Sequence, residues 1–137
     1  MSSPHLDTDV IIRLLTGDDP AKQEASAALF ERVRDGSLSI AAPDTVIADA
    51  VFVLTSPRLY STPRAQVAAM LASLIRLPRF HVANRQVVLA ALAVYGENKF
   101  DFGDAMIVAS MQEEGATEVF SYDHDFDGIS GITRQEP

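Results

Sequence analysis

Carboxylates interrupt the apolar runs of this chain at four separate places: Leu6-Asp7, the stretch 46–54 around Asp49, the stretch 102–108 around Asp104, and Val119 to Asp123. An ionised carboxylate in low-dielectric surroundings costs several kcal/mol even after relaxation, so such groups persist only where they are neutralised, paired or bound to a cation. Lys and Arg number 11 against 19 Asp and Glu, too few to pair them all. A divalent cation is the simplest partner for a cluster of this kind.

The segments around these acids alternate in type. A short strand is expected to end at Asp7, followed by a helix through Val10, Ile11, Leu14 and Leu15 that stops near Gly17. A second helix runs from beyond Pro20 to about Arg34, and Ser37 to Ala41 alternates polar and apolar residues as a strand does. Pro43 suits the first turn of a helix that continues to about Leu54. Val67, Ala68, Leu71, Leu74 and Ile75 keep helical spacing up to Pro78, and Phe80 to Val82 reads as a weak strand. Asn84 is expected to cap the helix carrying Val87, Val88, Ala91, Leu92 and Tyr95, and Asp101 the helix that ends near Gly115. Glu118 to Tyr122 and the region of Gly131 to Thr133 complete the strands. Strands alternating with helices point to an α/β domain whose mostly parallel sheet is covered on both faces.

Each acid has an ordinary explanation beside a functional one. Asp7 and Asp123 follow predicted strands, the edge where open α/β sheets bind ligands, yet each also suits a helix cap or a turn. Asp49 is the one polar residue between Val46 and Leu54, with Val46, Phe52 and Val53 around it, which predicts a helix without a solvent-exposed stripe and favours a functional role. Asp101 and Asp104 are spaced as cap and first-turn residue, where backbone N–H groups stabilise negative charge. Asp104 opens an apolar run that must face the sheet, so its carboxylate is assigned to the site and Asp101 to the cap. If Asp7, Asp49, Asp104 and Asp123 converge, they form an oxygen-only pocket suited to Mg²⁺ or Mn²⁺. Asp18, Asp19, Asp125 and Asp127 read as solvated loop charges, and His5 and His81 as structural.

At 137 residues the chain is sized for a single domain, 1–137, able to bury about two-thirds of its unfolded surface. It has no cysteine, which excludes disulfides, thiolate metal sites and a cysteine nucleophile. It also lacks a secretion-signal pattern and any apolar run near the roughly 20 residues of a membrane span, so a cytoplasmic protein away from membranes is expected. The net charge of −8 opposes phosphate binding, but cations held by clustered acids reverse the local field.

Four ordered stretches, 6–20, 45–54, 100–109 and 119–127, resemble PIN-domain nucleases, most closely the VapC-type ribonuclease toxins of bacterial toxin–antitoxin pairs. The resemblance implies a three-layer α/β/α sandwich with a central sheet of four to five strands. It implies that Asp7, Asp49, Asp104 and Asp123 are catalytic and bind Mg²⁺ or Mn²⁺, with Ser121 as a supporting hydroxyl beside Thr8, Asp9 and Asp101. It further implies cleavage of single-stranded or looped RNA, a homodimer, and a small VapB-like antitoxin that blocks the acidic site. Two positions depart from the family pattern: Asp9 stands where Asn is usual and adds an anion, and Asp49 stands where Glu is usual and shortens the ligand by one methylene. Arg13, Lys99 and His124 are candidate RNA contacts from their places at the site edge or in loops; Arg58 and Arg64 are weaker ones.

Two other readings compete. Asp7-Thr-Asp9 after a strand also resembles the nucleophile motif of haloacid-dehalogenase-type phosphotransferases, whose mark is a covalent aspartyl-phosphate. A PIN-like module that binds RNA or protein without cutting is the non-enzymatic alternative, and failure to bind a divalent cation would favour it.

Overall fold

In the computed structural model, which describes residues 2–137, the expected alternation is present with shorter strands. The order is α1 (Thr8–Leu15), α2 (Pro20–Arg34), β1 (Ile40–Ala42), α3 (Asp44–Thr55), α4 (Arg64–Ile75), β2 (Phe80–Val82), α5 (Arg85–Glu97), α6 (Phe102–Glu114), β3 (Glu118–Phe120) and β4 (Thr133–Gln135). The helix ends follow local chemistry. Asp19 accepts the Lys22 N–H at 3.1 Å and Pro20 begins α2, while Gly115 closes α6 at φ +72°, a conformation that only glycine adopts without strain.

Every described strand pairing is parallel. β1 pairs with β2 in the register Ile40–Phe80, Ala41–His81 and Ala42–Val82, and β3 pairs with β4. The expected first strand is reduced to a bridge at His5, held by Leu6 N–H to Ala41 O and Ala41 N–H to Pro4 O, both 2.9 Å. The hydrogen-bonded strands thus form two pairs rather than one ladder of four or five. Residues 37–39 fall outside β1 because they wrap the end of α2. The Ser37 N–H goes to the Asp35 carboxylate, while the Ser37 hydroxyl and the Leu38 N–H go to Arg32 O.

The core lies between helices and strands, with Ile11, Ile47, Leu54, Leu71, Ile75, Phe80, Leu92 and Val108 almost wholly buried. α4 and α5 approach so closely that a Cβ on Gly96 would stand 3.2 Å from Ala68 Cβ. Asn84 precedes α5 as expected but does not cap it with its side chain; at φ +57° it instead donates to the Asp44 carboxylate at 3.1 Å, tying the start of α5 to that of α3. No helix among the described residues is long and apolar enough to cross a membrane.

Arg64, weighed as an RNA contact, is a structural group. Its guanidinium lies 3.7 Å from the Tyr95 ring centroid and donates to the carbonyls of Tyr95 and Phe100, joining α4 to the end of α5 and to the loop that leads into α6. A lysine has neither the planar fork nor the stacking face. Arg64→Lys should therefore lower unfolding free energy by about 1–3 kcal/mol in a urea titration. Wild-type stability of that variant would show that the contact is dispensable.

Candidate active site

The first turn of α6 sets one half of the site. Asp101 is the N-cap and its carboxylate accepts the Asp104 N–H at 2.8 Å, leaving the half-buried Asp104 carboxylate to turn away from the helix. After β3 the chain bends at Asp123, whose N–H donates to Ser121 Oγ at 2.9 Å and whose Oδ1 accepts the Asp125 N–H at 2.9 Å. These bonds bring one ligand oxygen each of Asp104, Asp123 and Asp125 within 4.8 Å of one another. Burial first, and then the charges of Asp101, Asp123 and Asp125, push Asp104 above the ordinary carboxylate range. Oxygen-only donors at this spacing fit a hard divalent cation.

The other half lies between α1 and α3. Asp7 caps α1, accepting the Thr8 N–H at 2.6 Å. With Thr8, Asp9, Asp49, Phe52 and Tyr60 it lines a hollow of about 480 Å³. Asp49 is exposed, contrary to the expectation of a helix without a solvent-facing stripe. Thr45, Asp49 and Phe52 recur at helical spacing on an open face, and Phe52 is 73 % exposed. The four expected acids therefore come together as two pairs, Asp7 with Asp49 and Asp104 with Asp123. Phe52 borders both the Asp7–Asp49 hollow and a second hollow lined by Asp101, Gly103 and Arg64.

The basic candidates are mostly committed. Arg13 donates to Asp18 at 3.1 Å, and Asp18 also accepts from the Tyr60 hydroxyl at 2.6 Å and from Thr16 at 3.0 Å. The Tyr60 bond is the main reason that Asp18 sits below the usual carboxylate range; loss of solvent opposes it, and Thr16 and Arg13 add to the lowering. His124 Nδ1 lies 2.8 Å from Asp127, which also accepts from Arg134 Nε at 2.7 Å, and Arg134 is the first cause of the lowered Asp127 value. Lys99 is exposed and shares a shallow hollow with Asp125. Asp18 and Asp127 are thus solvent-exposed, as expected, and also held by fixed partners, while Asp19 caps α2. Asp125, Phe52 and Tyr60 were not singled out from sequence. The Asp-His-Asp spacing that lets Asp123 cap Asp125 was a readable signal, whereas nothing local announces a bond from Tyr60 to Asp18, 42 positions away.

No curated protein matches the chain significantly. The family model for the PIN domain matches residues 5–132, a span that holds both pairs of acids and every described helix and the first three strands. By that match the chain belongs to the PIN domain family, whose members are commonly metal-dependent nucleases.

Proposed function

We propose that this protein is a metal-dependent endoribonuclease that cleaves single-stranded or looped RNA, and that it is the cytoplasmic toxin of a VapBC-type pair, a homodimer restrained by a VapB-like antitoxin. Family membership supports the nuclease chemistry and the use of a divalent metal. The observation that carries the reading is the approach of Asp104, Asp123 and Asp125 within 4.8 Å, an all-oxygen set of the kind that hard divalent cations take. The RNA preference and the toxin role are supported by the four sequence stretches that resemble the toxin subfamily. The reading includes a single domain over 1–137 and a three-layer sandwich with a mostly parallel central sheet.

Asp104 and Asp123, joined by Asp125, would hold Mg²⁺ or Mn²⁺, with Asp7 and Asp49 completing the acidic wall. When bound, such an ion lowers the pKa of a water and offsets the charge that builds on a phosphodiester during in-line displacement. The chain's own groups do the positioning. The Asp101 cap fixes the first turn of α6, and the Ser121 hydroxyl fixes the turn that presents Asp123. Thr8 lines the hollow beside Asp7, and Asp9 adds a further carboxylate to its rim. Family membership does not favour the phosphotransferase alternative built on Asp7 and Asp9. A module that binds without cutting has little need for this many clustered acids.

Purified, antitoxin-free protein should cut a structured RNA pool with Mg²⁺ or Mn²⁺, lose the activity in EDTA, and lose about a hundredfold or more in rate on Asp104→Asn. Equal cutting by the variant would point to contamination or to a different site. The raised Asp104 value supplies a second test. The folded state holds that proton more tightly than the unfolded chain, so ionised Asp104 costs stability above its raised folded value, and the cost disappears below the unfolded value near 3.8. At neutral pH, Mg²⁺ or Mn²⁺ at a hundred times its Kd should add about 2.7 kcal/mol and raise Tm by several degrees. Asp104→Asn should raise the metal-free Tm and shrink that increment. A Tm indifferent to both ions would remove the metal from the reading.

A further inference from the structure

Phe52 keeps 73 % of its surface in water, on the same open face of α3 as Thr45 and Asp49, so burial in the fold does not account for it. On one side of it lie Asp7, Asp9 and Asp49, and on the other Arg64. Tyr60 forms a further wall of the first hollow, and its ring is anchored because its hydroxyl donates to Asp18 at 2.6 Å. Arg13, the one cation lining that hollow among the described residues, is committed to the same Asp18. On the far side Arg64 is tied to two carbonyls and to the Tyr95 ring, and the Asp101 carboxylate lines the same hollow, so that side offers no free cation either.

Such a surface offers a free aromatic face, acceptor carboxylates and few uncommitted cations. Binding driven by phosphates needs an array of free Lys and Arg, which a chain of net charge −8 does not present here. A nucleobase is an uncharged planar ring, and adenine, cytosine and guanine carry amino donors that suit carboxylate acceptors. Duplexes keep their rings stacked, whereas single strands leave them free to settle on an aromatic side chain.

We propose that Phe52 is the platform on which one unpaired nucleobase stacks, with its amino edge toward Asp9 and Asp49. The proposal rests on the nuclease reading for its substrate class and adds a specificity residue to it. Single strands enter by their bases, and amino-bearing bases are preferred over uracil at the stacked position. Because Phe52 is exposed, its replacement removes little packing and the variants should fold.

The chain has no Trp, so Phe52→Trp introduces a single indole at the platform. The titrants are a short 2′-O-methyl oligoadenylate that resists cleavage, the matching oligouridylate, inorganic polyphosphate, and an oligoarginine peptide, each with and without Mg²⁺. Oligoadenylate should quench the emission, polyphosphate should not, and oligouridylate should bind more weakly. In cleavage assays Phe52→Ala should raise KM about tenfold with a smaller effect on kcat. Four results of the titrations would overturn the proposal: binding seen by anisotropy without quenching, no binding in either condition, a response to oligoarginine alone, or an emission shift on raising the protein concentration alone. The third would assign the hollow to a cationic partner side chain, and the fourth to a second copy of this chain. Quenching without any cleavage would keep the platform and dismiss the nuclease, while cleavage with an unchanged KM in Phe52→Ala would do the reverse.

Discussion

The Asp101 carboxylate accepts the Asp104 N–H at 2.8 Å, and the acidic side of the molecule is arranged around that bond. It starts α6 at a fixed residue, puts Asp104 in the first turn, and points it at the bend after β3 where Asp123 and Asp125 wait. A helix N-terminus favours a carboxylate by about 0.3–1 kcal/mol. Two unit charges about 4 Å apart near a protein surface interact by about 4 kcal/mol at an effective dielectric near 20. Burial of Asp104 acts first and repulsion from Asp101, Asp123 and Asp125 adds to it; together they outweigh the dipole, and the proton is held more tightly than usual on Asp104. A proton or a cation in the cluster relieves that repulsion.

The excess of acids over bases also shapes what surrounds the site. Asp18 gathers Arg13, Tyr60 and Thr16, and Asp127 gathers Arg134 and His124. Each hub consumes basic groups that could otherwise meet a phosphate, so the formal charge understates how few cations are free. It also gives these loops definite geometry. Tyr60 reaches the Asp7–Asp49 hollow because a carboxylate far away in sequence holds its hydroxyl. What is lost in long-range attraction for nucleic acid is gained in fixed walls beside the acids.

The helices were legible because their boundaries are written in single residues: Pro20, Asp101 and Gly115 act through caps and φ angles that need no partner elsewhere. The positions of Asp7, Asp104 and Asp123 at element ends were legible for the same reason. Features decided by tertiary contact were not. Ser37 to Ser39 alternates like a strand, but the end of α2 takes its hydrogen bonds first. Asn84 has the composition of a cap, but its amide goes to Asp44. Asp49 looks enclosed in a one-dimensional apolar run, yet the helix turns it and Phe52 outward, and hydrophobic spacing cannot tell an exposed aromatic from a buried one. The pairing of the strands as two separate pairs has no sequence signature at all.

The two halves of the acidic surface are unequal in a way that bears on how they work. Asp104, Asp123 and Asp125 have oxygens close enough for one ion to touch all three, and the backbone N–H of each is held by a neighbouring side chain, Asp101, Ser121 and Asp123 in turn. Asp7, Asp9 and Asp49 share a hollow without that convergence among the described residues, and Asp49 has the shorter of the two acidic side chains. A pre-formed trio loses less ordering entropy on binding than groups that must be drawn together. In our reading the first cation therefore belongs to the α6 side, and the α1–α3 side acts on the substrate through Phe52 and through carboxylates free to accept its donors. That division follows from where the chain folds its acids, even though all of them share the same chemistry.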